Sequence, residues 1–322
     1  TARSGTVTLG GLTTQTISGS ATTSFFNLTI NNMNGVTLNV SPTVSGTLTL
    51  TSGIITTGAN TLIIATGGLI SGGTNSSYVK GNLQKAFNSG AGQSFTFTIG
   101  DASAYTPVNL ASMNVGTGGT LTVYVTGGDQ PNIATSDIAA TMSVNRYWTL
   151  TSGGGFAATY NATFNYLSGD LDGGAIASAF FVRRYSSGAW SASTVSGTPT
   201  TTTATISGET GFGDFAIGNT SFPPSISSVA LYQTDHTTTV TAMSPQTEYA
   251  VKVSVSNASM LATFSTVKVT IFYDADGIYA PGDVPSSGNT QTAALLTCTV
   301  GSTPSWSIDP GSNSSWSIVA AN

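Results

Sequence analysis

The sequence predicts an all-β protein, and three observations support that prediction. Apolar and β-branched residues alternate with polar ones at a period of two in one stretch after another, as in residues 47–51, 120–125 and 267–273. Gly, Asn, Ser and Asp fill the breaks between these stretches. The sequence offers no amphipathic stretch of three helical turns, and at most the segment 137–143 is expected to form one or two turns.

The first segment, residues 1–87, carries short strand signals separated by Gly, Asn and Ser turns, as in SFFNLTINN, GTLTLTSGIIT and NTLIIATGGLI. A parallel β-helix stacks such strands so that each coil buries its apolar residues against the next. We therefore expect an N-terminal β-solenoid or strand ladder over 1–87. Ordinary hairpins within a sandwich are the alternative interpretation of the same pattern.

The second segment, residues 88–221, has longer and more aromatic strand signals, such as SVNRYWTLTS and AFFVRRYSSGAW. Large aromatic residues at strand positions are typical of two sheets packed face to face, which predicts a β-sandwich. Pro223 and Pro224 then stiffen the chain, because each proline restricts the residue before it. Residues 225–322 are predicted to form a C-terminal Ig-like β-sandwich module from the lengths and spacing of their strands.

The composition favours a structural role outside the cell. Charged residues make up 7% of the 322-residue chain, against about 25% in ordinary soluble domains. The apolar fraction of 39% is enough for a core, so the chain is not a disordered tail. Because charge keeps monomers apart, a folded chain with so little of it suits a permanent assembly.

The same numbers exclude other classes of partner. A net charge of −5 argues against nucleic acid, which selects basic patches, and gives no polybasic route to anionic lipid. No apolar stretch comes close to the length of about 20 residues that a membrane-spanning helix needs. A signal peptide removed before Thr1 is consistent with the secreted, cell-surface location that we expect.

Cys298 is the only cysteine, so no disulfide forms within the chain. Its apolar neighbours in AALLTCTV predict an inert thiol buried in a strand. An intermolecular bridge and a metal ligand are the alternatives for this residue.

Two stretches of the chain resemble parts of known surface proteins. Over about residues 25–219, the words FNLTINN, SYVKGNLQKAF, FTIGDASAYTPVNL, DQPNIATSDI and FGDFAIGN resemble a repeat region of large secreted bacterial surface proteins. This resemblance implies an adhesive or structural protein without an enzymatic module in this region. Over residues 224–322, VKVTIFYDADG and the segment ending in SWSIV resemble the Ig-like modules of bacterial and archaeal surface-layer-like proteins. In such modules further strands follow, so the resemblance implies an incomplete C-terminal module.

The best candidate metal site is the acidic segment Asp274, Asp276 and Asp283. A D-x-D-G turn brings two carboxylates together, and Ca²⁺ takes six to eight oxygen ligands. The segment lacks the closing Glu of an EF-hand, and an acidic turn between strands is the alternative. Asp170 and Asp172 in SGDLDGG form a second, weaker candidate for Ca²⁺.

Several other polar residues are candidates for structural roles. Arg146 and Asp214 both lie between residues that should be buried, so we expect a structural ion pair between them. Asp101 is the alternative partner of Arg146. A simpler interpretation is that these charges lie in turns and are solvated. His236 is the only histidine and has no hydrolytic motif around it, which predicts a surface histidine.

Two residue types bear on contact with carbohydrate. Trp190, Trp306 and Trp316 could stack on sugars, but tryptophan more often belongs to the core. N-x-S/T sequons would mark exposed sites in a secreted protein, although many arise by chance in a Ser/Thr-rich chain; they occur at Asn27, Asn39, Asn75, Asn161, Asn219, Asn257 and Asn313.

These observations predict a non-enzymatic structural subunit of an extracellular assembly, a surface layer or a filament, built by contacts between copies of the chain. Residues 1–20, which alternate and carry no charge after Arg3, are a candidate for donation as a strand to a neighbouring copy, and the alternative is that they cap the solenoid of their own chain. The alternative function is an adhesive or carbohydrate-binding segment of a larger surface protein, with surface glycans as partners. No acid precedes Asp101, which argues against a secreted β-helix enzyme such as a polysaccharide lyase.

Overall fold

The computed structural model describes residues 4–21 and 23–220, together with the backbone of five strands between residues 225 and 308. The chain divides into two compact units, Thr1–Phe222 and Pro223–Asn322. Within the described residues, no helix is long and apolar enough to cross a membrane.

The N-terminal part winds as a parallel β-solenoid of coils about twenty residues long. Successive coils pair in parallel, with Gln15 beside Val36 and Val36 beside Ile55. On one face, Thr6–Gly10, Asn27–Asn31, Thr47–Ser52 and Leu69–Gly72 lie side by side in a four-stranded sheet, and the other strands belong to a larger sheet. The ten strands are β1 (Thr6–Gly10), β2 (Gln15–Ile17), β3 (Ser24–Phe25), β4 (Asn27–Asn31), β5 (Val36–Leu38), β6 (Thr43–Val44), β7 (Thr47–Ser52), β8 (Ile55–Ile64), β9 (Leu69–Gly72) and β10 (Val79–Phe87).

Apolar residues stack in columns inside the coils. Leu28 and Leu48 are partners in neighbouring coils and both are fully buried. Val36, Ile55 and Val79 form a second buried column. The period-two alternation therefore sends one set of side chains inward in every coil, and the predicted all-β class and solenoid arrangement are confirmed.

The two described strands within residues 4–20 pair inside their own chain, as the alternative prediction has it. Strand β1 pairs in parallel with β4, and β2 pairs in parallel with β5, all within the same chain. The expectation that this segment is donated to a neighbour is therefore wrong. The reason is that its alternation matches the next coil of its own chain, which lies adjacent in sequence.

The large sheet continues from the solenoid into an antiparallel region. Strand β10 pairs in parallel with β8 on one side and antiparallel with β14 on the other, so the sheet crosses the predicted boundary at residues 87 and 88 without a break. A separate four-stranded sheet has the order β11-β13-β17-β20. The strands are β11 (Gly90–Phe97), β12 (Ile99–Gly100), β13 (Val108–Thr117), β14 (Gly119–Gly127), β15 (Ile138–Ser143), β16 (Arg146–Gly153), β17 (Ala157–Asn165), β18 (Phe181–Ser186), β19 (Ala189–Ser193), β20 (Thr203–Glu209) and β21 (Gly213–Thr220).

The two sheets of this region share one apolar core with the solenoid. Aromatic rings bridge the two sheets. The ring centroid of Phe164 on β17 lies 5.1 Å from that of Trp148 on β16 and 5.1 Å from that of Phe215 on β21. All three side chains are fully buried. The aromatic residues of the sequence thus meet between two facing sheets.

Helical structure in the described residues is limited to three single turns of 3₁₀ helix, at Ile133–Thr135, Ser168–Asp170 and Ala177–Ala179. The helical turns predicted for residues 137–143 are wrong, because Ile138–Ser143 is a strand that pairs with β21. Tertiary pairing overrides the helix propensity of its Ala and Met residues.

The C-terminal unit is described by five strands. They form a two-stranded sheet, β22-β23, and a three-stranded sheet, β24-β25-β26. Cys298 lies in β25, as predicted, while the Ig-like arrangement stays a prediction. The strands are β22 (Ser225–Tyr232), β23 (Ala250–Ser256), β24 (Thr266–Asp274), β25 (Thr290–Thr299) and β26 (Ser305–Ile308).

Candidate functional site

Arg146 is the centre of a buried ion-pair cluster. Its side chain is 1% exposed, and its Nη1 donates to Asp101 Oδ2 at 2.6 Å. Its Nε and Nη2 each donate to the Asp170 carboxylate at 3.0 Å. Asp101 is thus a partner of Arg146, as the alternative prediction had it. The preferred pairing with Asp214 is wrong, because Asp214 accepts from Thr149 Oγ1 at 2.7 Å and from Gln130 Nε2 at 3.0 Å.

Tight turns hold the two carboxylates in place. Asp101 Oδ1 accepts the backbone N–H groups of Ser103 and Ala104 at 2.8 and 3.0 Å, and also the Ser103 hydroxyl. Asp170 closes a 3₁₀ turn by accepting the N–H of Leu167 at 2.8 Å. Burial alone would raise the pKa of the Asp101 carboxyl, but these hydrogen bonds and the Arg146 charge hold it below its usual value of 3.8.

Asp172 belongs to a second polar network beside the first. Its carboxylate accepts the N–H of Ser143 at 2.9 Å and the amide of Asn145 at 2.7 Å. The Ser143 hydroxyl lies 2.9 Å from Asp129 and 3.2 Å from Asp172. Burial and the charge of Asp172 raise the pKa of Asp129, although the Ser143 hydrogen bond opposes that rise.

These contacts leave Asp170 and Asp172 in separate networks, one on Arg146 and one on Ser143 and Asn145. The structure does not bring the pair together as the ligands of one cation. Within the part of the chain that the structure describes, no three His, Cys, Asp or Glu side chains are grouped to hold a metal.

The main calcium candidate lies largely outside the described residues. Asp276 and Asp283 are not described, and Asp274 is known only as the last residue of β24. His236 and Trp316 also lie outside the described residues, and Trp306 is known only by its place in β26. The predictions made for these side chains stay predictions.

Trp190 is half-buried and packs on the protein. Its indole Nε1 donates to the carbonyl of Asn132 at 3.2 Å and to the Thr135 hydroxyl at 3.0 Å. Its ring lies against a small cluster that includes Ile138 and Ala216. Trp190 therefore packs against this cluster with part of its side chain exposed, and stacking on a sugar stays a prediction.

The sequon at Asn219 does not offer a free acceptor. Its side chain is 8% exposed and makes hydrogen bonds to both the N–H and the carbonyl of Ile176, at 2.7 and 3.0 Å. An amide held in this way inside a folded domain cannot present itself for modification.

Lys85 is a buried cation that sequence reasoning missed. It is 5% exposed, and its ammonium donates to the carbonyls of Ala65, Thr66 and Gly68 at 2.6, 2.7 and 2.8 Å. Burial lowers the pKa of Lys85 to about 8. The alternation of β10 could have revealed this burial. Leu83, Lys85 and Phe87 are every second residue of the strand, so all three point to the same, inward side.

The first coil of the solenoid forms an uncharged, open end. No Asp, Glu, Lys, Arg or His occurs from Ser4 to Val79. Val7 is 43% exposed although its partner Leu28 in the next coil is fully buried, and Leu12 is 91% exposed. Strand β1 pairs only with β4, so its outer edge carries backbone groups without a partner strand in the described residues.

No protein-family model matches the chain, and neither the curated proteins nor the solved structures that were searched contain a match to it. The functional interpretation therefore depends on the geometry of the chain itself.

Proposed function

We propose that this chain is a non-enzymatic structural subunit of an extracellular assembly, a surface layer or a filament built from copies of itself. The observation that carries the proposal is the solenoid of residues 4–79. It combines an uncharged surface with an unpaired edge strand and the exposed apolar side chains of Val7 and Leu12. Such an edge is a template for pairing with another chain.

The charged side chains of the first unit support a scaffolding role. Arg146 is paired with both Asp101 and Asp170, and Asp214 and Asp172 accept hydrogen bonds from neutral donors. A catalytic carboxylate or base needs access to a substrate, whereas these groups are engaged in turns and strand contacts. Location at the cell surface is part of the proposal, and the low charge of the chain is the feature that suits it.

Two further elements of the proposal concern the second unit. Asp274, Asp276 and Asp283 would bind one Ca²⁺, with backbone carbonyls completing the shell. Residues 225–322 would form an Ig-like module, for which the pairing of β24, β25 and β26 is the available support.

Sedimentation velocity of the full chain over a hundredfold range of concentration tests the proposal. We expect association that grows with concentration and is nearly the same in 0.05 and 1 M NaCl, because contacts without ion pairs are not screened by salt. A chain that stays monomeric throughout, with and without Ca²⁺, would contradict self-assembly and favour the adhesive or glycan-binding alternative.

A further inference from the structure

Lys80 differs from every other cation in the described part of the first unit. The three arginines there are paired with carboxylates, and the Lys85 ammonium donates to three backbone carbonyls. Lys80 is half-buried on β10, yet within residues 4–220 its ammonium has no hydrogen bond or ion pair with the protein. Ser4–Val79 contains no charged residue, so no carboxylate of the solenoid compensates this charge. The Lys80 ammonium is therefore available to an anion that is not part of the folded unit.

Lys80 lies on the last of the strands that line a groove of ≈ 170 Å³ on the outer face of the large sheet. Thr37, Thr56 and Lys80 are register partners on β5, β8 and β10, so their side chains follow one another across three neighbouring strands. Strands lie about 4.8 Å apart, so this row spans about 10 Å. Thr14 and Asn34, both exposed, continue the polar lining into the first two coils. The groove is thus a row of polar groups that ends in one positive charge.

The polar groups of the groove suit a ligand that is rich in hydroxyls. The hydroxyls of Thr37 and Thr56 and the side-chain amide of Asn34 have no hydrogen-bond partner within the described residues. Each hydroxyl can both donate and accept a hydrogen bond, as the hydroxyls of a sugar do. Met33 is 80% exposed along the groove and offers an apolar surface to the C–H face of a sugar ring. No acidic side chain lines the groove, so nothing there repels an anion.

We propose that this groove binds a saccharide that carries a carboxylate, such as a glucuronic or galacturonic acid residue. Lys80 would bind the carboxylate, and the free hydroxyls of Thr37 and Thr56 would bind hydroxyls of the saccharide. Pockets for drug-sized ligands have volumes of about 300–1,000 Å³, so this smaller groove holds roughly one sugar ring, with the neighbouring rings on the open surface. This inference goes beyond the proposed function and does not depend on self-assembly.

The distribution of charge selects this class of ligand. A nucleic acid carries a negative charge on every unit, and the residues from Ser4 to Val79 offer no second cation to neutralise the next charge. A neutral sugar would leave the Lys80 ammonium without a counter-ion. A single carboxylate among hydroxyls uses both the cation and the uncharged polar row.

Titration calorimetry of the full chain with oligomers of glucuronate and galacturonate tests the inference. Methyl esters of the same oligomers are the control ligands, because they keep the hydroxyls and lose the charge. We expect the acids to bind at least about threefold more tightly than the esters, the size of effect that one exposed ion pair gives. The difference should shrink between 0.05 and 0.5 M NaCl. Lys80→Met should remove it, whereas Lys80→Arg should keep it.

Threonine variants test the row of hydroxyls separately from the charge. Thr37→Val should weaken the binding of acids and esters alike, by roughly twofold to tenfold, because it removes one hydrogen bond. Thr8→Val is the matched control, since Thr8 is exposed on β1 and does not line the groove. Thermal melting shows whether each variant is folded, and Thr56→Val replaces T37V should that variant fail to fold.

The outcomes separate this inference from the proposed function. If neither acid binds, or if K80M binds the acids as tightly as the wild type does, the inference is wrong. Acetate that binds as tightly as the oligomers would mean a simple anion contact and would contradict the assignment to a saccharide. A chain that binds the acids but never self-associates leaves this inference standing and contradicts the proposed function. A chain that assembles without binding them does the reverse.

Discussion

The guanidinium of Arg146 binds the carboxylate of Asp170 with two parallel hydrogen bonds of 3.0 Å, across a separation of 24 residues. Its third donor reaches Asp101, 45 residues away, at 2.6 Å. Arg146 begins β16, and its two partners lie in turns, so this contact ties two loops to the first residue of a core strand. Two-point binding of this kind fixes geometry as well as charge.

Replacing Arg146 should destabilise the first unit strongly. Arg146→Met leaves Asp101 and Asp170 without their counter-ion, at side-chain exposures of 15% and 14%. Removing one partner of a buried pair costs about 3–5 kcal/mol. Urea denaturation measures the loss, with Arg146→Lys expected to be intermediate and Lys80→Met to change stability by less than about 0.5 kcal/mol. Equal stability of R146M and K80M would show that the cluster contributes nothing.

Acid should weaken the same cluster. The folded protein holds the pKa of Asp101 below 3.8, so the unfolded chain binds the proton more readily. Asp101 therefore contributes stability above pH about 4 that is lost as pH falls through its folded pKa. Melting temperatures between pH 6 and pH 2.5 test this: Asp101→Asn should start less stable at pH 6 and lose less on acidification. Parallel curves for the two proteins would be inconsistent with the lowered pKa.

Asp129 should behave in the opposite sense. Burial and nearby Asp172 raise the pKa of Asp129, so its ionised form is disfavoured in the folded state. That cost is present above its folded pKa and is relieved as pH falls. Asp129→Asn keeps an acceptor for the Ser143 hydroxyl, and we expect it to stabilise the protein at pH 7 by up to about 1 kcal/mol. Denaturation midpoints at pH 7 check this, and a clear loss of stability would count against it.

How far the sequence predicts these features depends on how many residues separate the groups that interact. The solenoid was predictable, because alternation within FNLTINN and GTLTLTS decides which side chains point inward, and Leu28 and Leu48 do so. Of the two partners of Arg146, Asp101 was predicted only as an alternative and Asp170 was assigned instead to a Ca²⁺ candidate, since turns distant in sequence bring both carboxylates to the guanidinium. Strand β15 was missed because its pairing with β21 joins Ser143 to Gly218, a contact that local propensity does not reveal.

The candidate assembly surface also has one feature that the sequence predicts and one that it does not. Its lack of charge is a property of composition, visible in the sequence from Ser4 to Val79. The unpaired outer edge of β1 is not visible there, because it depends on which strand ends the sheet β1-β4-β7-β9. Edge strands of this kind depend on how sheets end, which is decided by the whole topology.

Lys85 should make stability rise in mild alkali. The folded protein lowers its pKa from 10.5 to about 8, so between these values the unfolded chain holds a proton that the folded chain has released. Stability therefore increases from pH 8 to 10.5, by on the order of 1–3 kcal/mol from this residue. Lys85→Met should remove that increase, while Lys80→Met, with the same change in charge, should keep it. Identical pH profiles for K85M and K80M would contradict the assignment.

The final prediction concerns the close stacking of the solenoid coils at Gly53. This residue has φ +93° and is buried in the turn between β7 and β8, where its N–H donates to the carbonyl of Ser76 at 2.9 Å. A Cβ at this position would collide with the carbonyl oxygen of Asn32 in the coil before it. Gly58 has φ +59°, but a Cβ there would meet open space.

Alanine variants of these two glycines therefore distinguish the cost of backbone strain from the cost of the close spacing between coils. Gly58→Ala should cost only the left-handed strain of an L-residue, about 1–2 kcal/mol. Gly53→Ala adds a clash with backbone that cannot move aside, so its loss of stability should be at least twice as large, with faster hydrogen exchange in β4, β5 and β8. Urea denaturation of the two variants gives the comparison. Equal losses would mean that the coils at Asn32 and Gly53 can move apart to admit a methyl group, and the contact would then not limit the stacking of the solenoid.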